Sequence, residues 1–127
     1  MILLDTDILI DLFRDHPPCV AWMSSLGLQP IAVSIVTAME LYAGCRDKSE
    51  QRTVRQKVMS YQMLWPDERS AIDILPNFAD AHLSHATGIL DSIIAATALS
   101  HELTLHTFNQ KHFAAFPKLK TAQPYLR

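Results

Sequence analysis

The chain has 127 residues, 49% of them hydrophobic and 19% charged, with 13 acidic against 11 basic residues and a net charge of −2. That length buries a core without disulfide or metal staples, and the balance excludes both a disordered chain and one driven to polyanions by bulk charge. No apolar stretch reaches a membrane span, and Cys19 and Cys45 fit no metal or redox spacing. With no secretory signal, the expectation is reduced thiols in a cytoplasmic protein of a single domain, residues 1–127.

Ile2, Leu3 and Leu4 are a short continuous apolar run, the pattern of a strand buried on both faces of a parallel sheet. It ends at Asp5. Thr6 or Asp7 can then cap a helix whose Ile8, Leu9, Leu12 and Phe13 share one face. Asp5, Asp7, Asp11 and Asp15 put four of the thirteen acids here, and turn or cap duty accounts for the last three. Pro17 and Pro18 break this helix and open a second, with Val20, Trp22, Met23 and Leu26 on its apolar side and Gly27 at its end.

Pro30 leads into a second buried strand, Ile31 to Val33, closed by Ser34 as the cap of a helix running to about Arg46. Ile35, Ala38, Met39, Tyr42 and Ala43 are its expected packing residues, and Glu40 lies within it. Lys48 to Tyr61 reads as a helix with Val54, Val58 and Tyr61 on one side. The stretch from Arg46 to Lys57 carries five of the eleven basic residues, the mark of a solvated face, and the tail from Lys111 carries four more. A short strand near Met63 to Trp65 stops at Pro66. The helical stretch from Asp67 should bend or restart at Pro76. His82 and His85 lack a partner at familiar ligand spacing and read as surface or partly buried histidines.

From Gly88, Ile89 and Leu90 precede Asp91, and Ser92 to Ser100 is a helix of small residues able to pack closely on a sheet. Leu103 to Thr107 is the next strand. Phe108, Asn109 and a short helical turn through His112, Phe113 and Phe116 follow, with a last edge strand at Lys118 to Ala122. Strands alternating with helices mean α/β with a parallel sheet.

Right-handed crossovers then dictate where the acids go. Asp5 ends a strand at the carboxyl edge of the sheet, and Glu40 lies in the upper half of a descending helix. Asp91 starts another such helix, and Asn109 follows a strand that climbs back. Three carboxylates and an amide oxygen meet at the edge where open α/β sheets place ligands. Crowded carboxylates repel and take up protons unless a cation sits among them. Hard oxygen donors select Mg²⁺, or Mn²⁺ in its place. A cation held by few carboxylates keeps open positions, which suits phosphodiester hydrolysis by an activated water. The plain alternatives are an N-cap for Asp91 and a solvated helix acid for Glu40.

LLDTDILIDL at Leu3 to Leu12, VSIVTAMELYAG at Val33 to Gly44, GILDSIIAATAL at Gly88 to Leu99 and LTLHTFNQKHF at Leu103 to Phe113 together resemble the PIN-domain family. More narrowly, they resemble VapC-type toxins of toxin–antitoxin pairs. The resemblance covers the chain in order and implies a three-layer α/β/α fold, sheet order 3-2-1-4-5, with residues 1–127 as one PIN domain. It implies a Mg²⁺-dependent endoribonuclease cutting transfer or ribosomal RNA, with Asp5, Glu40 and Asp91 as its metal-binding acids. Asn109 stands where the family often has a fourth acid, and an amide supplies no charge to a second metal. Thr107 fits the pattern of a polar residue that orients water or phosphate. The family also implies a homodimer and a small antitoxin that blocks the site, for which Leu12, Phe13, Trp22 and Met23 are the expected apolar patch. Two other readings use the same residues: a catalytically silent PIN-like partner-binding module, and a phosphatase resembling the haloacid dehalogenases. The phosphatase motif continues with Gly-Thr after its acids, where this chain has Ile8 and Leu9.

Overall fold

The computed structural model describes all 127 residues. Five strands, β1 (Ile2–Leu4), β2 (Ile31–Ser34), β3 (Gln62–Leu64), β4 (Leu105–His106) and β5 (Thr121–Ala122), form one sheet in the order β3-β2-β1-β4-β5. Every neighbouring pair is parallel, with Leu3 beside Ala32 on one side and Leu105 on the other. Seven helices cover it: α1 (Thr6–Phe13), α2 (Pro17–Ser25), α3 (Ile35–Ala43), α4 (Lys48–Val58), α5 (Glu68–His85), α6 (Ile89–Ser100) and α7 (Gln110–Phe113).

Alternation along the central strands builds two cores. Leu3, Ala32 and Leu105 face α5, α6 and α7, meeting Ala81, Ile94, Ala95 and Phe113. Leu4 and Val33 face the other way, onto Ile8 and Leu9 of α1, Cys19 of α2 and Val58 of α4. Side chains two residues apart share a face of a strand, so β1 needs apolar residues at both parities. That is why MILL reads as an unbroken run.

Several boundaries and faces differ from the sequence expectation. Asp5 itself, rather than Thr6 or Asp7, is the N-cap of α1. α3 ends at Ala43 and buries Val36, Thr37, Ala38 and Leu41, whereas Ile35, Met39 and Ala43 are exposed. The reason is that α3 serves both cores, Val36 in one and Ala38 with Leu41 in the other, so no single stripe describes it. On α2 the buried residue is Cys19, and Val20 is exposed. β4 and β5 contract to two residues each. α5 runs unbroken through Pro76, because the helix lies on the surface with Ile72, four residues earlier, exposed. The carbonyl that loses its N–H partner there can turn to water.

Candidate active site

Asp5 closes β1 and opens α1, and this double duty fixes it. Its backbone N–H donates to the His106 carbonyl at 3.0 Å, which ties the strand end to β4. Its side chain is 5% exposed. Oδ1 accepts from the Thr6 amide at 2.8 Å and Oδ2 from the Thr107 hydroxyl at 2.7 Å. Burial pushes the carboxyl up, against the hydrogen bonds from Thr107 and Thr6, and the charges of Asp91 and Asp7 add to the rise. The result is a pKa moved from 3.8 to about 6.

Glu40 reaches the same edge from α3. Its Oε1 accepts from the Thr6 hydroxyl at 2.9 Å, and Thr37 Oγ1 lies 3.1 Å from that hydroxyl. One hydroxyl carries one proton, so with Thr6 donating to Glu40, Thr37 donates to Thr6. Burial raises the Glu40 pKa, the Thr6 bond opposes it, and Asp91 and Asp7 again push upward. Asp91 sits in the first turn of α6, where the cap is Gly88 and not a side chain. Its Oδ2 lies 3.6 Å from His112 Nδ1. Asp5 and Glu40 are therefore joined at the carboxyl edge through Thr6, and Asp91 is near enough for its charge to bear on both. They do not form a finished cage, since no three acid, histidine or cysteine side chains close around one point.

The chain as a whole has known counterparts. The PIN domain family model matches residues 2–119. Ribonuclease VapC10 of Mycobacterium tuberculosis is 35% identical, over 94% of this chain and 91% of its own. The chain is a PIN-domain protein of the VapC type. A toxin–antitoxin complex from Klebsiella pneumoniae superposes with a TM-score of 0.76 at 28% identity over all of both chains. VapBC-1 from nontypeable Haemophilus influenzae does so with 0.77 at 26%, over 97% of this chain and 98% of that one.

In this PIN-domain chain Thr107 is fully buried and carries two bonds, donating to Asp5 and accepting from the Asn109 amide at 3.0 Å. Asn109 thus reaches the centre through its backbone. Its side chain is exposed at the start of α7 and does not cap that helix. Sequence reasoning passed over Thr6, which holds Glu40, over Thr37, which bonds to Thr6, over Asp7, whose charge bears on both raised carboxyls, and over His112. A threonine directly after a strand-end acid reads first as a cap, so only Glu40 lying opposite reveals its second use.

A cleft of about 800 Å³ lies away from Asp5, Glu40 and Asp91, lined by Leu103, Lys118 and Lys120 where β4 and β5 begin. Beside the acids is a groove of about 380 Å³ between α1, α3 and α4, with Ile10, Phe13, Leu41 and Val54 along it and Glu40 among its lining residues. The expected apolar patch of Leu12, Phe13, Trp22 and Met23 is not a free surface. All four are half-buried against the second core, and Trp22 packs on His106 and Tyr125 at ring distances of 5.3 and 6.0 Å. Trp22 therefore belongs to the fold, because the chain's last residues return to cover it.

Proposed function

We infer that this protein is a divalent-metal endoribonuclease, the toxin of a toxin–antitoxin pair, with Asp5, Glu40 and Asp91 at its reactive centre. The observation that carries the reading is the buried Asp5, its carboxyl raised to about 6 beside other acids. The charges that bear on it and on Glu40 are all negative, those of Asp91 and Asp7. Such a cluster is uncomfortable alone and is relieved by a cation. The donor set fits Mg²⁺ or Mn²⁺, which take oxygen ligands and bind through one or two carboxylates with waters, so a finished three-ligand cage is not required. Asp5, Glu40 and Asp91 would hold the ion, which when bound supplies Lewis acidity toward water and phosphate.

The chain's own residues then do the positioning. Thr107 and the Thr6 amide fix both oxygens of Asp5, the Thr6 hydroxyl fixes Glu40, and His112 of the α7 turn stands 3.6 Å from Asp91. Thr107, fully buried, acts from behind Asp5, and the exposed Asn109 side chain lies beside it at the start of α7. RNA, transfer or ribosomal, would contact the centre through its backbone. The exposed cations of α4, Arg52, Arg55 and Lys57, offer phosphate partners, as do Arg46 and Lys48 around its start. Lys118 and Lys120 line the far cleft instead, at the opposite edge of the sheet.

An antitoxin segment with an apolar helical face would lie in the groove between α1, α3 and α4, close to Glu40. Exposed Met39 on α3 and Ile89 and Leu90 on α6 supply apolar surface for a second copy in a homodimer. Free thiols at Cys19 and Cys45 suit a cytoplasmic setting, and no helix is long and apolar enough to cross a membrane. The deciding experiment is induced expression of the chain and of Asp5→Asn, with mapping of new RNA 5′ ends. Growth arrest and defined cuts that disappear in Asp5→Asn are expected. Cuts retained by Asp5→Asn would exclude this centre, and no Mn²⁺-dependent cleavage by the purified protein would favour the silent module.

A further inference from the structure

Outside the acidic centre, the densest meeting of charged and aromatic side chains is around Asp11. This carboxylate is 8% exposed. Its Oδ2 accepts from Tyr125 Oη at 2.7 Å and from Arg127 Nε at 3.0 Å, and its Oδ1 accepts from Arg127 Nη2 at 3.0 Å. A guanidinium fork thus closes on a nearly buried acid from the far end of the chain. The same guanidinium lies 4.8 Å from the centre of the Phe108 ring. Tyr125 meets Phe108 edge-on at 4.9 Å. The chain's last residues are a strap from α1 to the connection between β4 and α7.

What the strap holds follows from the neighbours of its anchor points. Phe108 stands between Thr107, whose hydroxyl donates to Asp5 at 2.7 Å, and Asn109, whose amide donates to Thr107 at 3.0 Å. Asp11 stands on the helix that Asp5 caps. The strap and the Thr107–Asp5 bond therefore join the same two segments. Without the strap, β4 contributes only Leu105 and His106 to its pairing with β1, a short ladder to hold a loop in register. We propose that Asp11, Tyr125 and Arg127, acting through Phe108, are positioning residues that fix the Thr107–Asn109 loop and keep the Thr107 hydroxyl on Asp5. The proposal rests on the reading of Asp5 as the reaction centre. Lysine cannot replace the fork, since an ammonium cannot make the paired bonds to Asp11 while lying over the Phe108 ring.

The test uses Arg127→Lys and Phe108→Leu, alone and combined with Thr107→Val, in the full chain well below its melting temperature. Each is assayed with Mn²⁺ on a fluorophore-quenched RNA oligonucleotide, and by hydrogen exchange. Arg127→Lys and Phe108→Leu should each lower kcat by on the order of tenfold to a hundredfold with KM nearly unchanged. Exchange at the 107–109 amides should quicken while β1 and β2 stay protected. In the Thr107→Val background each change should cost less than about twofold, because the bond the strap protects is already gone. Fully additive losses in that background would mean the strap acts only on stability, and unchanged exchange with wild-type kcat would also overturn the proposal. Wild-type cleavage by Asp5→Asn, or none by the unaltered protein, counts against the centre itself. Exchange at 107–109 then still decides what the strap holds.

Discussion

At the scale of single residues, Asp5 carries a cost that its hydrogen bonds only partly offset. Its pKa lies at about 6 in the folded chain against an ordinary 3.8, so the folded state binds the proton more tightly than the unfolded chain does. Stability without metal should therefore be fullest below about pH 4 and fall as pH rises through about 6, by up to about 3 kcal/mol from this group. Glu40 is shifted the same way. At Asp11 burial also pulls upward, but the bonds from Arg127 and Tyr125 win and hold its carboxyl below the ordinary range, so its contribution is lost on acidification. That opposing effect is shared by wild type and Asp5→Asn and cancels between them. In EDTA at neutral pH, Asp5→Asn should melt several degrees above wild type and show a flatter pH dependence. Added Mn²⁺ should raise the wild-type midpoint and leave the variant almost unmoved. Equal melting and equal response to Mn²⁺ across the pH range would show that Asp5 faces no cation. The acid was legible in the sequence because it ends an apolar run. The hydroxyls around it were not, since Thr6 and Thr37 are 31 positions apart and meet only through tertiary structure.

At the scale of elements, five parallel strands and their order were readable from apolar runs and the family motifs, and faces were less so. α3 shows why: a helix wedged between two cores has no single stripe, so Met39, apolar and in phase with Ile35, lies 60% exposed. α5 fails in the other direction. Pro76 was expected to bend or restart it, and the helix does not restart, since surface placement lets the freed carbonyl reach water. That continuity has a measurable consequence. Pro76→Ala should restore a backbone bond and stabilise the fold by about 1–3 kcal/mol, read as a higher urea midpoint at unchanged m-value. A lower midpoint would mean that the rigid ring, not the helix bond, is what this position needs. α4 offers a second element-scale check, because its cations are exposed and one of them, Lys57, lines the groove that reaches Glu40. Neutralising Arg52, Arg55 and Lys57 together should flatten the log–log salt dependence of RNA binding by up to about 3 in slope, one for each phosphate that those cations neutralise. An unchanged slope would send the RNA across another face.

At the scale of the whole molecule, Glu40 lines the groove between α1, α3 and α4 and accepts from Thr6 next to Asp5, and that adjacency makes restraint by a partner physically simple. Glu40 and Asp91 keep part of their surface exposed at the sheet edge, so blocking that edge takes a segment anchored nearby, not a change of fold. Ile10, Phe13, Leu41 and Val54 give that anchor an apolar floor, and Arg14, Glu40, Glu50 and Lys57 give it charges of both signs. A helix laid there buries apolar area, and a basic side chain at its end is drawn to acids whose mutual repulsion it relieves. Disrupting the groove should therefore free the toxin without harming it. Val54→Ser lies on α4, away from Asp5, Asp91 and Thr107, and it trims the apolar floor while adding a hydroxyl that water can satisfy. Co-expressed with the small antitoxin expected to be encoded beside it, the unaltered chain should co-purify with that partner and leave cells growing. Val54→Ser should lose on the order of tenfold or more in affinity and arrest growth despite the partner. This readout is a gain of toxicity, which a misfolded variant cannot give. A Val54→Ser chain still silenced by its neighbour would move the partner to another surface, and a neighbour that neither binds nor protects would leave the nuclease without its antitoxin.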